Sequence, residues 1–172
     1  MPQVDFYILP EAAPAQRALF ACRLIEKIYK LGHRIYVHHQ HREQAEIFDD
    51  MLWRVQPTSF LPHELGAANT RRAVQIGWHG AADTDHLAAE LLATDSLSTG
   101  LLVAGAGTEN NAGGNVLINL ADAVPEFFNS FQRISEIVVQ TPEVLAATRN
   151  AWRYYQQQGC ALERHDLRAG QA

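Results

Sequence analysis

The chain has 172 residues, 47% of them hydrophobic and 19% charged, a length that supports one compact domain with its own core and is short for two. Its formal net charge of −5 argues against a surface that clings to nucleic acid throughout, because that mode needs a basic footprint to displace counterions from phosphates. No stretch approaches the ~18 apolar residues of a membrane span, the N-terminal MPQVDFYILPEA carries no basic leader region, and Cys22 and Cys160 form no CxxC pair, so the expectation is a soluble, cytoplasmic protein with reduced thiols.

In chain order, VDFYIL (4–9) is a short apolar run closed by Pro10 and reads as a buried strand. Pro14 suits the first turn of a helix running to Leu31, with Ala21, Leu24, Ile25, Ile28 and Leu31 on one stripe and Gly32 as its stop. RIYVH (34–38) is a second strand, and REQAEIFDDMLWRV (42–55) a second helix with Ala45, Phe48 and Leu52 at helical spacing. The chain then breaks at Pro57 and passes through Phe60, Leu61 and Pro62 without helical or strand period. Aromatics beside prolines are either tucked beneath the domain or offered to a partner. AVQIGW (73–78), NVLINL (115–120) and RISEIVV (133–139) are further strands, and residues 142–158 form the last helix, with Pro142 at its start and Gly159 just past its end. Strands alternating with helices predict an α/β fold with a mainly parallel sheet, since parallel neighbours need crossover connections.

The charges divide the chain. Nine of the fourteen Lys and Arg fall between Arg17 and Arg72, five between Arg133 and Arg168, and none in the intervening stretch, which holds seven carboxylates from Asp83 to Glu126. Its Ala-, Gly-, Thr- and Asn-rich middle predicts an insertion over residues 83–114 within a single domain spanning 1–172, with a flexible C-terminal tail at 166–172.

Catalytic signatures are weak. The first strand is followed by PEAAPAQ, which is neither GxGxxG nor GxxxxGK[ST], so no phosphate cradle is expected there. VAGAGTENNAGGN contains GxG but lacks the rest of either pattern and lies in the insertion. His38, His39 and His41 in VHHQH follow a strand, from which α/β hydrolases present metal ligands, and they define the alternative reading of a small metal-dependent hydrolase. Against it, His38 and His39 point to opposite faces of a continuing strand, and no HxHxDH or HExxH completes a ligand set, which favours polar surface histidines at a helix entry. No GxSxG elbow is present. Neither a catalytic role nor a cofactor has positive support.

More informative is TRNAWRYYQQQG (148–159). On a helix, Arg149, Trp152, Arg153 and Gln156 fall at i, i+3, i+4 and i+7, a face at once cationic and aromatic, while Tyr155 leans toward the sheet.

Taken together, FYIL, LGHRIYVHHQHREQAEIFDDMLWRVQPTSFLPHEL and RNAWRYYQQQGCAL resemble the chi subunit of bacterial DNA polymerase III holoenzyme, part of its clamp-loader assembly. The similarity covers most of residues 3–79 and 115–162, and its most specific element is LWxxxPxSFxPHxL from Leu52 to Leu65. The insertion departs from shorter members of that family. The resemblance implies a Rossmann-like α/β sheet without a nucleotide-binding loop, no catalytic activity and no cofactor. It also implies two protein contacts. Trp53 and Phe60 match the aromatics that join chi to its small partner subunit psi. Val138, Arg149, Trp152, Arg153 and Gly159 match the pocket for the acidic, phenylalanine-ended C-terminal tail of single-stranded DNA-binding protein, with Trp152 where the family has tyrosine and Arg153 where it has lysine. The implied function is a non-catalytic adaptor between the clamp loader and single-stranded DNA-binding protein, meeting DNA only indirectly.

Overall fold

The apolar runs of this sequence become strands because the chain supplies cover for both of their faces. The computed structural model of the protein describes residues 1–55, 61–66, 74–79 and 115–168. Among them are the strands β1 (Gln3–Ile8), β2 (Arg34–His39), β3 (His63–Leu65), β4 (Val74–Trp78), β5 (Asn115–Asn119), β6 (Arg133–Val138) and β7 (Ala161–Asp166), and the helices α1 (Pro14–Lys30), α2 (Arg42–Val55) and α3 (Pro142–Gln157). A 3-10 turn over Glu126–Ser130 links β5 to β6. The strands form one sheet in the order β3-β4-β2-β5-β6-β1-β7, with every neighbouring pair parallel.

Strand alternation sorts the core into two layers. On one face Ile35, Val37, Ile76, Ile118 and Ile137 pack beneath α1 and α2, against Ala21, Ile25, Ala45 and Phe48. On the other, Val4, Phe6, Tyr36, Leu117 and Ile134 pack against Phe128 and Phe131 of the turn region and Ala151 and Tyr155 of α3. Both cysteines are buried with free thiols, Cys22 in the first layer and Cys160 in the second.

The helix ends follow local chemistry. α1 closes with Gly32 at φ 86°, its N–H donating to Tyr29 O at 2.9 Å and that of His33 to Ile28 O at 3.4 Å, a paired closure that needs the left-handed residue. α3 closes the same way through Gly159 (φ 79°), whose N–H reaches Gln156 O while that of Cys160 reaches Tyr155 O, both at 3.1 Å. At its start, Thr141 accepts from Val144 N at 3.4 Å and Pro142 occupies the first turn, where its missing N–H costs nothing.

Two strands went unpredicted, and two expectations need correction. Residues 63–65 are a strand, β3, paired with β4, although the segment has no apolar period. The mostly polar ALERHD becomes β7 because β1 offers it a full parallel edge. The tail does not begin at 166: Asp166 ends β7, Leu167 N donates to Ile8 O at 2.9 Å, and Arg168 folds back onto Asp166 at 2.7 Å. His38 and His39 are buried strand residues and not surface histidines at a helix entry. The 83–114 insertion, Phe60 and residues 169–172 lie outside the described residues.

Candidate protein-binding sites

The last helix meets the sheet through a polar anchor inside an apolar layer. Glu136 of β6 is buried, and its Oε1 accepts from the Tyr155 hydroxyl at 2.7 Å and from Asn119 Nδ2 at 2.9 Å. Burial pushes its carboxyl above the usual range, against the pull of these donors and of the Arg17 charge. Arg17 in turn donates to Ile137 O at 2.8 Å and Leu120 O at 3.1 Å, tying the start of α1 to the same strand ends. Tyr155 and Trp152 both meet the Phe6 ring, with centroids at 6.2 Å and 4.8 Å.

This anchor fixes which face of α3 is outward. Ala151 and Tyr155 are buried, Trp152 lies half-buried over Phe6, and Arg149, Arg153 and Gln156 are exposed. Val138, only 2% exposed, belongs to the same apolar layer as Trp152, Leu145 and Leu162. Gly159 sits at the helix end with open space where a side chain would stand, so its glycine is required by backbone conformation and not by crowding. The structure thus brings Trp152 and Val138 into one cluster and leaves both arginines and Gly159 at the surface.

The second predicted contact lies on the far end of the sheet. Trp53, on α2, is 53% exposed, one of the few large apolar side chains left in solvent among the described residues. Its ring meets His63 at 4.6 Å between centroids. His63 Nδ1 lies 2.7 Å from Leu61 O, and Nε2 faces Asp49 at 3.3 Å, too far off line to count as a hydrogen bond. Burial raises the Asp49 carboxyl, partly offset by His63. β3 therefore supplies the platform on which Trp53 rests, a role the sequence did not reveal.

The histidine cluster is dispersed. His38 points into the α3-side layer against Tyr36 and Phe127, and His39 into the α1/α2 layer against Phe48, while His41 is exposed. Burial and neighbouring positive charge push His38 down to about 4 and His39 to about 3, so both are neutral at pH 7. Opposite faces of one strand cannot converge on a metal. Among the described residues, ligand atoms of Asp5, Glu163 and His165 do lie within 4.8 Å of one another. There, however, Arg133 grips the buried Asp5 carboxylate and His165 Nε2 lies 3.0 Å from it, so the charge a cation would seek is already matched. Burial opposes ionisation of Asp5, but these hydrogen bonds outweigh it and hold its carboxyl below the usual range.

No described helix is long and apolar enough to cross a membrane. A Rossmann-like parallel sheet with helices on both faces defines the class, a single-sheet α/β protein. The particular family follows from comparison. The chain belongs to the family described as DNA polymerase III chi subunit, HolC, whose profile matches residues 1–101 and 98–163. It is 30% identical over 167 residues to the DNA polymerase III subunit chi of Pseudomonas aeruginosa, covering 97% of this chain and 98% of that protein. It is 24% identical over 165 residues to the subunit of the same name from Haemophilus influenzae, covering 95% and 96%. The family is an accessory, non-catalytic one of the replicative polymerase, and the hydrolase alternative falls with that assignment.

Proposed function

We propose that this chain is an adaptor of the replicative polymerase, acting in the cytoplasm as a single domain over residues 1–172, that joins the clamp loader to single-stranded DNA-binding protein. The outward face of α3 receives the acidic, phenylalanine-ended tail of that protein. The observation that carries this reading is the combination on one helix of the exposed cations Arg149 and Arg153 with the half-buried Trp152. A peptide of that chemistry needs positive charge for its carboxylates and an apolar slot for its ring. Val138 and the turn at Gly159 complete the proposed pocket, and arginine in place of the family's lysine favours planar, two-point contact with a carboxylate. On the other side, Trp53 and Phe60 anchor a psi-like subunit, supported by the exposure of Trp53 on its β3 platform. DNA is met indirectly, and no cofactor is required.

A fluorescence-anisotropy titration with the tail peptide tests the first contact. The expected affinity is micromolar, roughly −8 kcal/mol, weakening as salt rises. Arg153→Glu should weaken binding at least tenfold while the fold persists, because an exposed helix position tolerates Glu. Unchanged affinity in that variant, or equal binding of a peptide lacking its terminal Phe, refutes the site. For the second contact, Trp53→Ala should lose ~2 kcal/mol or more of binding to a psi-like subunit with little change in melting temperature, and a variant that unfolds instead assigns Trp53 to the core.

A further inference from the structure

The α1/α2 face of the sheet is covered unevenly. α2 packs over β3, β4 and β2, and between α1 and the strands β1, β5 and β6 runs a groove of about 530 Å³, floored by Tyr7, Val116, Arg133 and Ser135 and bounded by Leu167 just past β7. Phe20, Arg23 and Leu167 also line an adjoining hollow of about 280 Å³ bounded by Leu9, Glu11 and Gln16, so the two form one trough along α1 from Gln16 to Leu31. The fifteen helical rises from Gln16 to the cap at Leu31 span about 22 Å, the length of six or seven residues of extended chain.

The walls of this trough have a definite chemistry. Phe20, Leu24, Ile28 and Leu31 make an apolar side, and Leu31 at the mouth is 66% exposed. Along the rim, Arg23 and Lys27 stand one helical turn apart and make no ion pair among the described residues. Their neighbours differ: Lys30 is held by Glu26 at 2.6 Å, and Arg133 by Asp5. The carboxylates nearest to Arg133 are engaged as well, Asp5 by Arg133 and His165, and Glu163 by Gln3 Nε2 at 2.9 Å. Glu11, at the far end of the trough beside Arg23, is the one lining carboxylate, so on a chain of net charge −5 the channel keeps a local excess of one positive charge, concentrated toward Lys27.

We infer that the trough along α1 binds an acidic peptide in extended conformation, seating a bulky apolar side chain against Phe20, Ile28 and Leu31 and its carboxylates on Arg23 and Lys27. Charge complementarity selects the sign of the partner, and the continuous elongated shape selects a linear segment over a compact ligand. A single-stranded nucleic acid is disfavoured by the walls. Of the rings that line it, Tyr7 is stacked on His165 at 4.8 Å and set against Phe20 at 5.4 Å, so these two are engaged with each other, and His33 stands apart at the end of α1, which leaves no run of platforms for successive bases. The site lies on the face of the sheet opposite α3, so it neither depends on the tail contact proposed above nor competes with it.

The test uses the full chain and an eight-residue synthetic peptide alternating Glu with Phe and Leu, capped at both ends and titrated by amide chemical-shift mapping and anisotropy. Saturable binding with shifts concentrated at residues 20–31 and at Tyr7, Ser135 and Leu167, weakened about tenfold or more by Arg23→Glu/Lys27→Glu and less than about twofold by Arg153→Glu, is the expected result. A probe with Lys in place of Glu should not bind. The proposal is overturned if there is no saturable binding, if Arg153→Glu abolishes it while the α1 double variant does not, or if an eight-nucleotide oligothymidine competes for the same residues. Should the double variant fail to fold, Leu31→Ser, at an exposed position, must weaken binding of the acidic probe and leave the melting curve unchanged, and unchanged affinity there also overturns it.

Discussion

Lowering the pH from 7 to 5 should destabilise this protein through two histidines that play no part in its proposed contacts. His38 and His39 are buried at 2% and 5% exposure on adjacent positions of β2, with His38 Nδ1 and His39 Nε2 lacking hydrogen-bond partners. Burial, with added repulsion from His79 for one and from His38 and Arg17 for the other, lowers them from 6.5 to about 4 and about 3. A histidine depressed in the folded state contributes stability that is intact above pH 6.5 and lost as pH falls toward the folded value, because the unfolded chain takes up protons the native state refuses. At pH 5 the unfolded side chains are about 1.5 units below their ordinary value, and at 1.36 kcal/mol per unit each histidine costs about 2 kcal/mol, or about 4 kcal/mol together. That is a large share of the ~5–15 kcal/mol stability of a typical domain. Glu136 works in the opposite direction, since its raised carboxyl gains stability as pH falls, so the wild type alone is an impure readout. Comparison with His38→Asn/His39→Asn isolates the pair: urea unfolding at both pH values should show a loss at least about 3 kcal/mol smaller in the double variant. Equal pH dependence in the two proteins would mean that the histidines are solvated and that β2 is not covered on both faces.

Two further perturbations probe the layer behind α3. Tyr155→Phe removes the hydroxyl that donates to Glu136 at 2.7 Å and should cost ~1–3 kcal/mol in chemical denaturation; no change would show that the buried carboxyl is satisfied without it. Gly77→Ala should destabilise by more than ~3 kcal/mol or prevent folding, because a Cβ there overlaps the hydroxyl of Tyr36, whose ring is held by Phe127 and Phe131, and a near-normal melting temperature would contradict that packing.

The elements legible in the sequence are those whose pattern is set by burial. VDFYIL, RIYVH, AVQIGW, NVLINL and RISEIVV all became central strands, and the helical stripes of Ala21–Ile25 and Ala45–Leu52 all turned inward. The two strands missed, His63–Leu65 and Ala161–Asp166, are the two edges of the sheet. An edge has one neighbour and partly solvated faces, so its side chains escape the apolar requirement and the backbone alone holds it in place. His38 and His39 were misread for the converse reason: polar side chain type suggests a surface, but β2 lies between β4 and β5 with cover above and below. On α3, spacing alone put Arg149, Trp152 and Arg153 on one face. The depth of Trp152 against Phe6 depends on a residue almost the whole chain away, and the anchoring of Tyr155 by Glu136 on a polar side chain buried in a neighbouring strand, neither of which periodicity can register.

The placement of β1 sets the order in which this molecule can be completed. β1 lies between β6 and β7, and every strand-pairing hydrogen bond along both of its edges is made to residues 132 or later. While the nascent chain is shorter than that, β1 has no described strand to pair with, and Phe6 has neither Trp152 nor Tyr155 to cover it. Native folding of this half therefore waits for β6 and β7 and is closed by an encounter between segments far apart in sequence, which makes it slow for its size and exposes an unpaired apolar strand in the meantime. A ribosome that stalls before Ala161 would release not a shorter working protein but a sheet still open at its N-terminal strand.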